Sequence, residues 1–161
     1  MGRPRAFDTD QAVRAAAALF ATCGYEGTSI DDLTTATGMH RGSLYNVFGS
    51  KRKLYLTALR AHLDHEILPS TAAVGSLTDA GQARAAAIAG FDDGPAAGFL
   101  LLAAVERAPQ DPEAAELVAE GFTALENALR PTHSGEAEHV AATVLGKRLR
   151  LRARPTTPQE S

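Results

Sequence analysis

The stretch TSIDDLTTATGMHRGSLYNVFGSKRKL, residues 28–54, decides the fold of this chain. Its first part predicts a short helix, because Ser29 can cap the start and Ile30 and Leu33 recur at the spacing of one helix face. Gly38 ends that helix, since glycine readily takes the left-handed backbone conformation that closes a helix. A compact helix followed by a tight turn is therefore predicted here.

The second part of the stretch predicts another short helix, near residues 40–47. Leu44 is expected to face inward there, together with either Val47 or Phe48. The segment FGS interrupts this helix, and Ser50 can cap the much longer helix that follows. The glycines therefore separate two short helices from each other and from a third, longer one.

A first helix is predicted over residues 10–23, where apolar side chains recur at helical spacing. Two short helices that rest on a first helix and are joined by a glycine-containing turn are typical of a helix-turn-helix. The second short helix of that motif enters the major groove of DNA, so its outer face must carry small or polar residues. Residues 40–46 supply such a face, and the sequence therefore predicts a DNA-binding element.

Residue types on and beside the second short helix indicate which side chains contact DNA. The guanidinium fork of Arg41 matches the O6 and N7 atoms of guanine. A lysine at a helix start adds its charge to free backbone N–H groups that already attract phosphate. The predicted base-reading residues are His40, Arg41 and Ser43. The predicted phosphate-binding residues are Thr28, Tyr45, Lys51, Arg3 and Arg5.

Charge is unevenly distributed along this chain of 161 residues, whose formal net charge is -3. Residues 1–60 contain eight Lys and Arg against five Asp and Glu, whereas residues 61–146 contain three against thirteen. Residues 147–154 contain five basic residues and no acidic one. A basic head on an acidic body is typical of a nucleic-acid reader whose other part has a different task.

Composition favours an all-α fold of modest size. Hydrophobic residues make up 45% of the chain, many of them alanine, while aromatic residues make up only 6%. The lone cysteine, Cys23, suits a reducing cytoplasm and is predicted to pack inertly on the apolar face of the first helix. No run of residues is long and apolar enough to suggest a membrane span or a secretion signal, so a cytoplasmic protein is expected.

The stretch 28–54 resembles the DNA-binding segment of the TetR/AcrR family of bacterial transcriptional regulators, and the likeness extends over roughly residues 7–60. The matching positions are Thr28, Ile30, Leu33, Ala36, Gly38, Gly42, Leu44, Tyr45, Phe48, Ser50, Lys51 and Leu54. Residues 98–118 are similar to the sixth and seventh helices of one subgroup. The resemblance implies a homodimer whose C-terminal body binds a small molecule and thereby changes its affinity for DNA.

The C-terminal half departs from the family pattern, in which two long apolar helices pair across the dimer. Here one such helix is predicted near residues 136–150, with an apolar stripe at Val140, Ala141, Val144 and Leu145. It turns basic at Lys147, and a two-fold interface would bring those charges near their own copies. The expectation is therefore a homodimer that forms weakly.

A pocket for a small, mostly apolar ligand is predicted in the body, between the fourth and seventh helices. The predicted lining residues are His62, Leu63, Phe99, Leu102, Val105, Leu117 and Phe122. His62 and His65 stand at a helical spacing, but two histidines alone do not make a metal site, so they are expected to be partly exposed or to line the pocket. Glu106 and Arg107 fit either a surface pair or polar groups of the pocket.

The sequence thus predicts an all-α, sequence-specific regulator of transcription that binds a palindromic operator in double-stranded DNA. The expected domains are a helix-turn-helix domain over 1–53, a helical regulatory and dimerisation domain over 54–152, and a flexible tail over 153–161. We expect a repressor that a small-molecule effector releases from its operator. The alternative is a DNA-binding protein with a degenerate body that senses nothing. No phosphate loop, catalytic constellation, cofactor motif or metal-ligand spacing predicts an enzyme.

Overall fold

The computed structural model describes residues 9–91 and 94–152, with side chains up to residue 150. Every regular element in these ranges is helical, which confirms the predicted fold class. The helices are α1 (Thr9–Cys23), α2 (Ile30–Thr37), α3 (Arg41–Phe48), α4 (Lys51–His62), α5 (Leu68–Gly75), α6 (Ala80–Gly90), α7 (Phe99–Glu106), α8 (Pro112–Leu129) and α9 (Ala137–Arg152). The predicted contacts of Arg3 and Arg5 and the tail 153–161 lie outside the described residues.

Helix α2 forms where the sequence predicts it because both of its ends are fixed locally. The Ser29 side chain accepts a hydrogen bond from the Asp32 backbone N–H at 3.1 Å, and the Asp32 carboxylate accepts from the Ser29 backbone N–H at 2.8 Å. The hydrogen bonds from Ser29 lower the pKa of Asp32. At the other end Gly38 has φ +69°, the left-handed conformation of a helix cap. The turn between α2 and α3 is therefore specified by its own residues.

The helical stretch that begins at Lys51 continues past Pro69. A π-helical turn, Leu63–Ile67, joins α4 to α5, and the Leu68 N–H donates to the Leu63 carbonyl across five residues. This wide turn places Pro69 in the first turn of α5, where a backbone N–H is not needed. The chain therefore stays helical from Lys51 to Gly75.

Head and body share one core. An aromatic cluster joins Phe20 of α1, Tyr55 of α4 and Phe99 of α7, with ring centroids 4.9 Å apart for the first pair and 5.2 Å apart for Tyr55 and Phe99. All three side chains are buried. The division after residue 53 stays a prediction, since these rings pack across it.

Helix α8 lies at the centre of the body and packs against α5, α7 and α9. Gly121 permits the close approach of its neighbours, because a Cβ there would lie 2.7 Å from the Leu100 Cδ2 atom. Helix α9 covers α8 and α6, and the residues of its apolar stripe Val140, Ala141 and Val144 are buried inside the chain itself. The expectation that this stripe faces a partner subunit is therefore wrong in the described fold.

Two further features complete the fold. Cys23 is exposed at the end of α1, so its predicted packing role is wrong: the apolar face of α1 passes through Phe20 and Ala21 instead. Among the residues that the structure describes, no helix is both long enough and apolar enough to cross a membrane.

Candidate nucleic-acid interface

Helix α3 is held by its inner face and presents the rest of its surface to solvent. Leu44 is fully buried and Phe48 nearly so, whereas Val47 is 50% exposed, which decides between the two predicted inward residues in favour of Phe48. Tyr45 is 42% exposed on the outer side. The helix is thus anchored on the core of the head and available along its outer face.

The three predicted base-reading residues lie at the beginning of α3. His40 is the N-cap residue and is exposed, and its side chain makes no capping hydrogen bond. Arg41 is exposed and its Nη2 atom lies 2.8 Å from the Asp31 Oδ1 atom of α2. Ser43, two residues further along the same turn, is half-buried. The structure therefore brings all three to one end of the helix, at the glycine turn.

Asp31 is a member of this site that the sequence did not reveal. Its hydrogen bond with Arg41 joins α2 to α3 across ten residues and raises the pKa of the guanidinium. Both side chains are largely exposed, so the pair contributes little to stability. The pair instead orients the Arg41 side chain. It holds the guanidinium against α2 and leaves it accessible to a ligand.

The predicted phosphate-binding residues divide into two groups. Tyr45 is exposed, and Lys51 begins α4 with its Nζ atom 4.3 Å from the centroid of the Tyr25 ring. Thr28, in contrast, is only 1% exposed, and its hydroxyl donates to the Gly24 carbonyl at 2.6 Å. The assignment of Thr28 to phosphate is therefore corrected: its hydroxyl closes the loop between α1 and α2.

A carboxylate of α7 fixes that same loop from the body. The two oxygens of Glu106 accept hydrogen bonds from the backbone N–H groups of Tyr25 at 2.9 Å and Glu26 at 2.8 Å. The Arg107 guanidinium lies 4.3 Å from the Tyr25 ring centroid, which makes a cation–π contact. Glu106 and Arg107 are thus neither a surface pair nor pocket groups, as the two predicted alternatives had them. They connect the body to the head.

A second polar connection links the first turn of α4 to the start of α8. Arg52 donates to both oxygens of Asp111, from Nε at 2.8 Å and from Nη2 at 2.7 Å, and Arg107 donates to the same carboxylate at 3.0 Å. The hydrogen bonds from Arg52, followed by that from Arg107, lower the pKa of Asp111 to about 2 against the effect of burial. The two neighbouring residues of this turn therefore have different roles. Lys51 lies at the outer surface, whereas Arg52 binds the body.

The predicted ligand pocket is not assembled as expected. Leu63 and Phe99 are fully buried and Leu117 is 8% exposed, all within the packed core, and Leu102 and Phe122 are half-buried. Val105 is 67% exposed on the outer side of α7, so its assignment to the pocket is wrong. His62 does line a cavity, but that cavity lies against α1.

His62 and His65 differ in their exposure. Within residues 9–91 and 94–152, no group of three or more His, Cys, Asp or Glu side chains is arranged to hold a metal ion. His62 is buried, with its Nδ1 atom 3.4 Å from the Glu66 Oε1 atom, whereas His65 is exposed.

A compact helix-turn-helix on a helical body, with exposed cations around the second short helix, defines a helix-turn-helix transcriptional regulator. The sequence model of the family described as bacterial regulatory proteins, tetR family, matches residues 12–58. The HTH-type transcriptional regulator YezE of Bacillus subtilis (strain 168) is 33% identical over 150 residues, which cover 84% of this chain and 76% of YezE. The chain belongs to the TetR family.

Other relatives match part of the sequence or the fold as a whole. The HTH-type transcriptional repressor BdcR of Escherichia coli (strain K12) is 38% identical over 68 residues, 42% of this chain and 34% of BdcR. Among solved structures, a cysteine mutant of the TetR family regulator CifR, complexed with 26bp double-strand operator DNA, superposes with a TM-score of 0.76 and 25% identity. That superposition covers 96% of this chain and 91% of CifR. The superposition on CifR agrees with the described fold.

Proposed function

We propose that this transcriptional regulator acts as a repressor that reads duplex DNA through α3, with Arg41 as its main base-reading residue. The exposed guanidinium at the first turn of α3, tied to Asp31, is the observation that supports this role best. Arg41 donates to the O6 and N7 atoms of a guanine in the major groove, and His40 and Ser43 contact neighbouring bases. Two similar proteins support the proposal: BdcR is a repressor, and CifR was solved with operator DNA.

Phosphate contacts are proposed on either side of the reading helix. Lys51 combines a positive charge with the free backbone N–H groups at the start of α4, and Tyr45 adds a hydroxyl from the exposed face of α3. Arg3 and Arg5, which precede the described residues, are proposed to reach the backbone or the minor groove. These contacts orient the head on the duplex without reading its sequence.

The proposed operator is palindromic and the bound form is a homodimer, because one head reaches only one half-site. Two heads must stand about 34–36 Å apart, one turn of DNA, to read successive major grooves. A small molecule bound to the body would favour a different spacing of the heads and so release the operator. Helix α4 links the two parts mechanically, together with the contacts of Glu106 and Asp111. The proposed place of action is the bacterial cytoplasm.

The role proposed for the chain is binding rather than catalysis, since its family consists of transcriptional regulators. A second candidate is a DNA-binding protein with a body that senses no ligand. The packed core at Leu63, Phe99 and Leu117 favours it, because the pocket expected there is filled by the protein's own side chains. A screen for compounds that weaken operator binding separates the two: sensing requires at least one such compound.

The base-reading role is tested by titrating Arg41→Ala against a library of operator variants. Loss of the guanidinium should cost about 1–3 kcal/mol of discrimination at one base position and little at the others. Arg84→Ala is the matched control, since Arg84 is an exposed arginine on α6 in the body. An equal loss of affinity on every sequence would show that Arg41 contacts phosphate instead of a base.

The phosphate contact is tested by the salt dependence of binding. Lys51→Ala should weaken specific and non-specific DNA alike and reduce the slope of log K against log salt by about one. Arg84→Ala again serves as the control, and an unchanged slope for Lys51→Ala would exclude the contact.

A further inference from the structure

The outermost side of helix α3 carries two residues that have no role in the core. Leu44 and Phe48 bury the inner side of the helix. At about 3.6 residues per turn, Gly42 and Asn46 lie on the opposite side, one turn apart, and both are exposed. If α3 enters the major groove with this side first, the helix backbone comes nearest to the base edges at these two residues.

The fold does not require a glycine at position 42. The backbone of Gly42 is helical and lacks the positive φ that favours glycine. A Cβ there would meet no atom within 4 Å beyond the neighbouring backbone of its own helix. Gly121 of α8 is the opposite case, because its Cβ would press on the Leu100 side chain. Nothing in the part of the chain that the structure describes therefore explains the missing side chain of Gly42.

Glycine and asparagine both weaken the helix that contains them. Glycine has more conformational freedom in the unfolded chain, so alanine at an exposed helical position is more stable. Asparagine is also a poor helix former. Helix α3 has only eight residues, and it carries these two one turn apart on its outer side. A glycine that the fold itself does not need is expected where a ligand must approach the backbone closely.

The chemistry of Asn46 fits one base edge in particular. Its amide presents a donor and an acceptor side by side, which match the N7 and N6 atoms of adenine in the major groove. A single CH₂ group joins this amide to the backbone, so the amide reaches a base only where the helix backbone itself comes close. The missing side chain of Gly42, one turn earlier on the same side, permits that approach.

The position of Asn46 relative to Arg41 sets the distance between the bases that they contact. At about 1.5 Å per residue, the rise of the helix from Arg41 to Asn46 is about 7.5 Å. A base-pair step of B-DNA is about 3.4 Å. The Arg41 guanidinium lies toward α2, beside Asp31, so it leaves the outer side of α3 to Asn46. The adenine is therefore expected about two base pairs from the guanine that Arg41 contacts.

We infer that Gly42 and Asn46 form a second base-reading site on α3. Asn46 binds the N6 and N7 atoms of an adenine, and Gly42 admits the edge of the base pair against the helix backbone. The inference rests on the proposed function, because it requires α3 to enter the major groove. It adds a second element to the operator, an A·T pair close to the guanine that Arg41 contacts.

The role of Gly42 predicts two effects of opposite sign in one variant of the full chain. Gly42→Ala should raise the Tm by about 1–3 °C, because the alanine restricts the unfolded chain and meets no obstacle in the fold. It should also weaken binding to the preferred duplex, selected from a random library with the original chain, by about tenfold or more, because the added methyl group holds α3 away from the bases. The matched control is Gly146→Ala in α9, an exposed glycine whose Cβ would likewise meet nothing. It should raise the Tm similarly and leave DNA binding unchanged.

The role of Asn46 is tested with a base analogue. In the preferred duplex, 7-deazaadenine replaces one adenine at a time, which removes the N7 acceptor and keeps the base pair. At one adenine this replacement should weaken binding of the original chain by about fivefold or more and leave binding of Asn46→Ala unchanged. The other adenines of the duplex are the internal controls.

Three results would overturn the inference: a Gly42→Ala variant no more stable than the original chain, a Gly42→Ala variant that binds the preferred duplex equally well, or no adenine whose N7 atom matters only in the presence of Asn46. If one of these occurs while Arg41→Ala still loses discrimination at a guanine, the proposed function stands and the second site does not. If the original chain selects no duplex from the library, both are wrong.

Discussion

Replacing Asp111 by asparagine should loosen the join between the first turn of α4 and the start of α8. The Asp111 side chain is 1% exposed and accepts hydrogen bonds from Arg52 and Arg107. Asparagine keeps one acceptor oxygen but turns a donor NH₂ group toward one of these arginines. A buried charge-assisted contact is thereby exchanged for a donor facing a donor, and the folded state should be less stable.

The magnitude follows from the pKa of Asp111, which is lowered from its ordinary 3.8 to about 2, chiefly by Arg52. At about 1.4 kcal/mol for each pKa unit, this lowering corresponds to roughly 2.5 kcal/mol of stability near neutral pH. Arg52 is 38% exposed, so water screens part of its attraction. We therefore expect Asp111→Asn to reduce the free energy of unfolding by about 1–2 kcal/mol at pH 7.

The pH dependence has a definite sign. A carboxyl whose pKa is lower in the folded state stabilises the fold above its unfolded pKa, and that stability is lost as the pH falls through the folded pKa. For Asp111 the window runs from about pH 4 down to about pH 2. The difference between the original chain and Asp111→Asn should therefore be constant from pH 5 to 7 and fall to about half by pH 3.

Urea unfolding of both proteins, followed by circular dichroism at several pH values, measures this difference. Glu113→Gln is the matched control, because Glu113 contacts the same Arg52 at 3.3 Å but is 64% exposed. It should change the free energy of unfolding by less than about 0.5 kcal/mol. The reasoning is refuted if Asp111→Asn is as stable as the control at pH 7, or if its deficit does not shrink toward pH 3.

Three other outcomes are expected. Glu106→Gln should lower stability by about 1 kcal/mol and speed amide hydrogen exchange at Tyr25 and Glu26, measured by NMR, since a charge-assisted acceptor is lost there; unchanged exchange at these amides would contradict the contact. Thr28→Val should lower the free energy of unfolding in urea by about 1–3 kcal/mol, because the buried Gly24 carbonyl loses its donor. The same variant should leave the salt slope of DNA binding unchanged, and a reduced slope would restore Thr28 as a phosphate contact. Sedimentation velocity should show monomers and dimers in exchange at about micromolar concentration. A stable dimer needs roughly 2,000 Å² of interface, and the apolar stripe of α9 is buried within the chain. A dimer that persists at nanomolar concentration would exclude weak dimerisation.

The sequence by itself determined the helix-turn-helix, because the interactions that form it join residues close to each other in the sequence. Ser29 and Asp32 cap α2 over three residues, and Gly38 closes it in the left-handed conformation. Helical spacing alone placed Leu44 in the core and left the outer face of α3 for contacts. Such interactions depend on residues within one turn of each other, so a linear pattern is sufficient to predict them.

Only the tertiary structure shows what each exposed or apolar helix face contacts. Periodicity identified the stripe through Val140 on α9, but only the packed body shows that α6 and α8 cover it. The hydrogen bond between Glu106 and the Tyr25 N–H spans 81 residues, and no local pattern announces it. His62 lines a cavity against α1, and helical spacing alone did not show that α1 lies there. Contacts between distant segments depend on how whole helices pack, and a helix with an apolar face does not specify its partner.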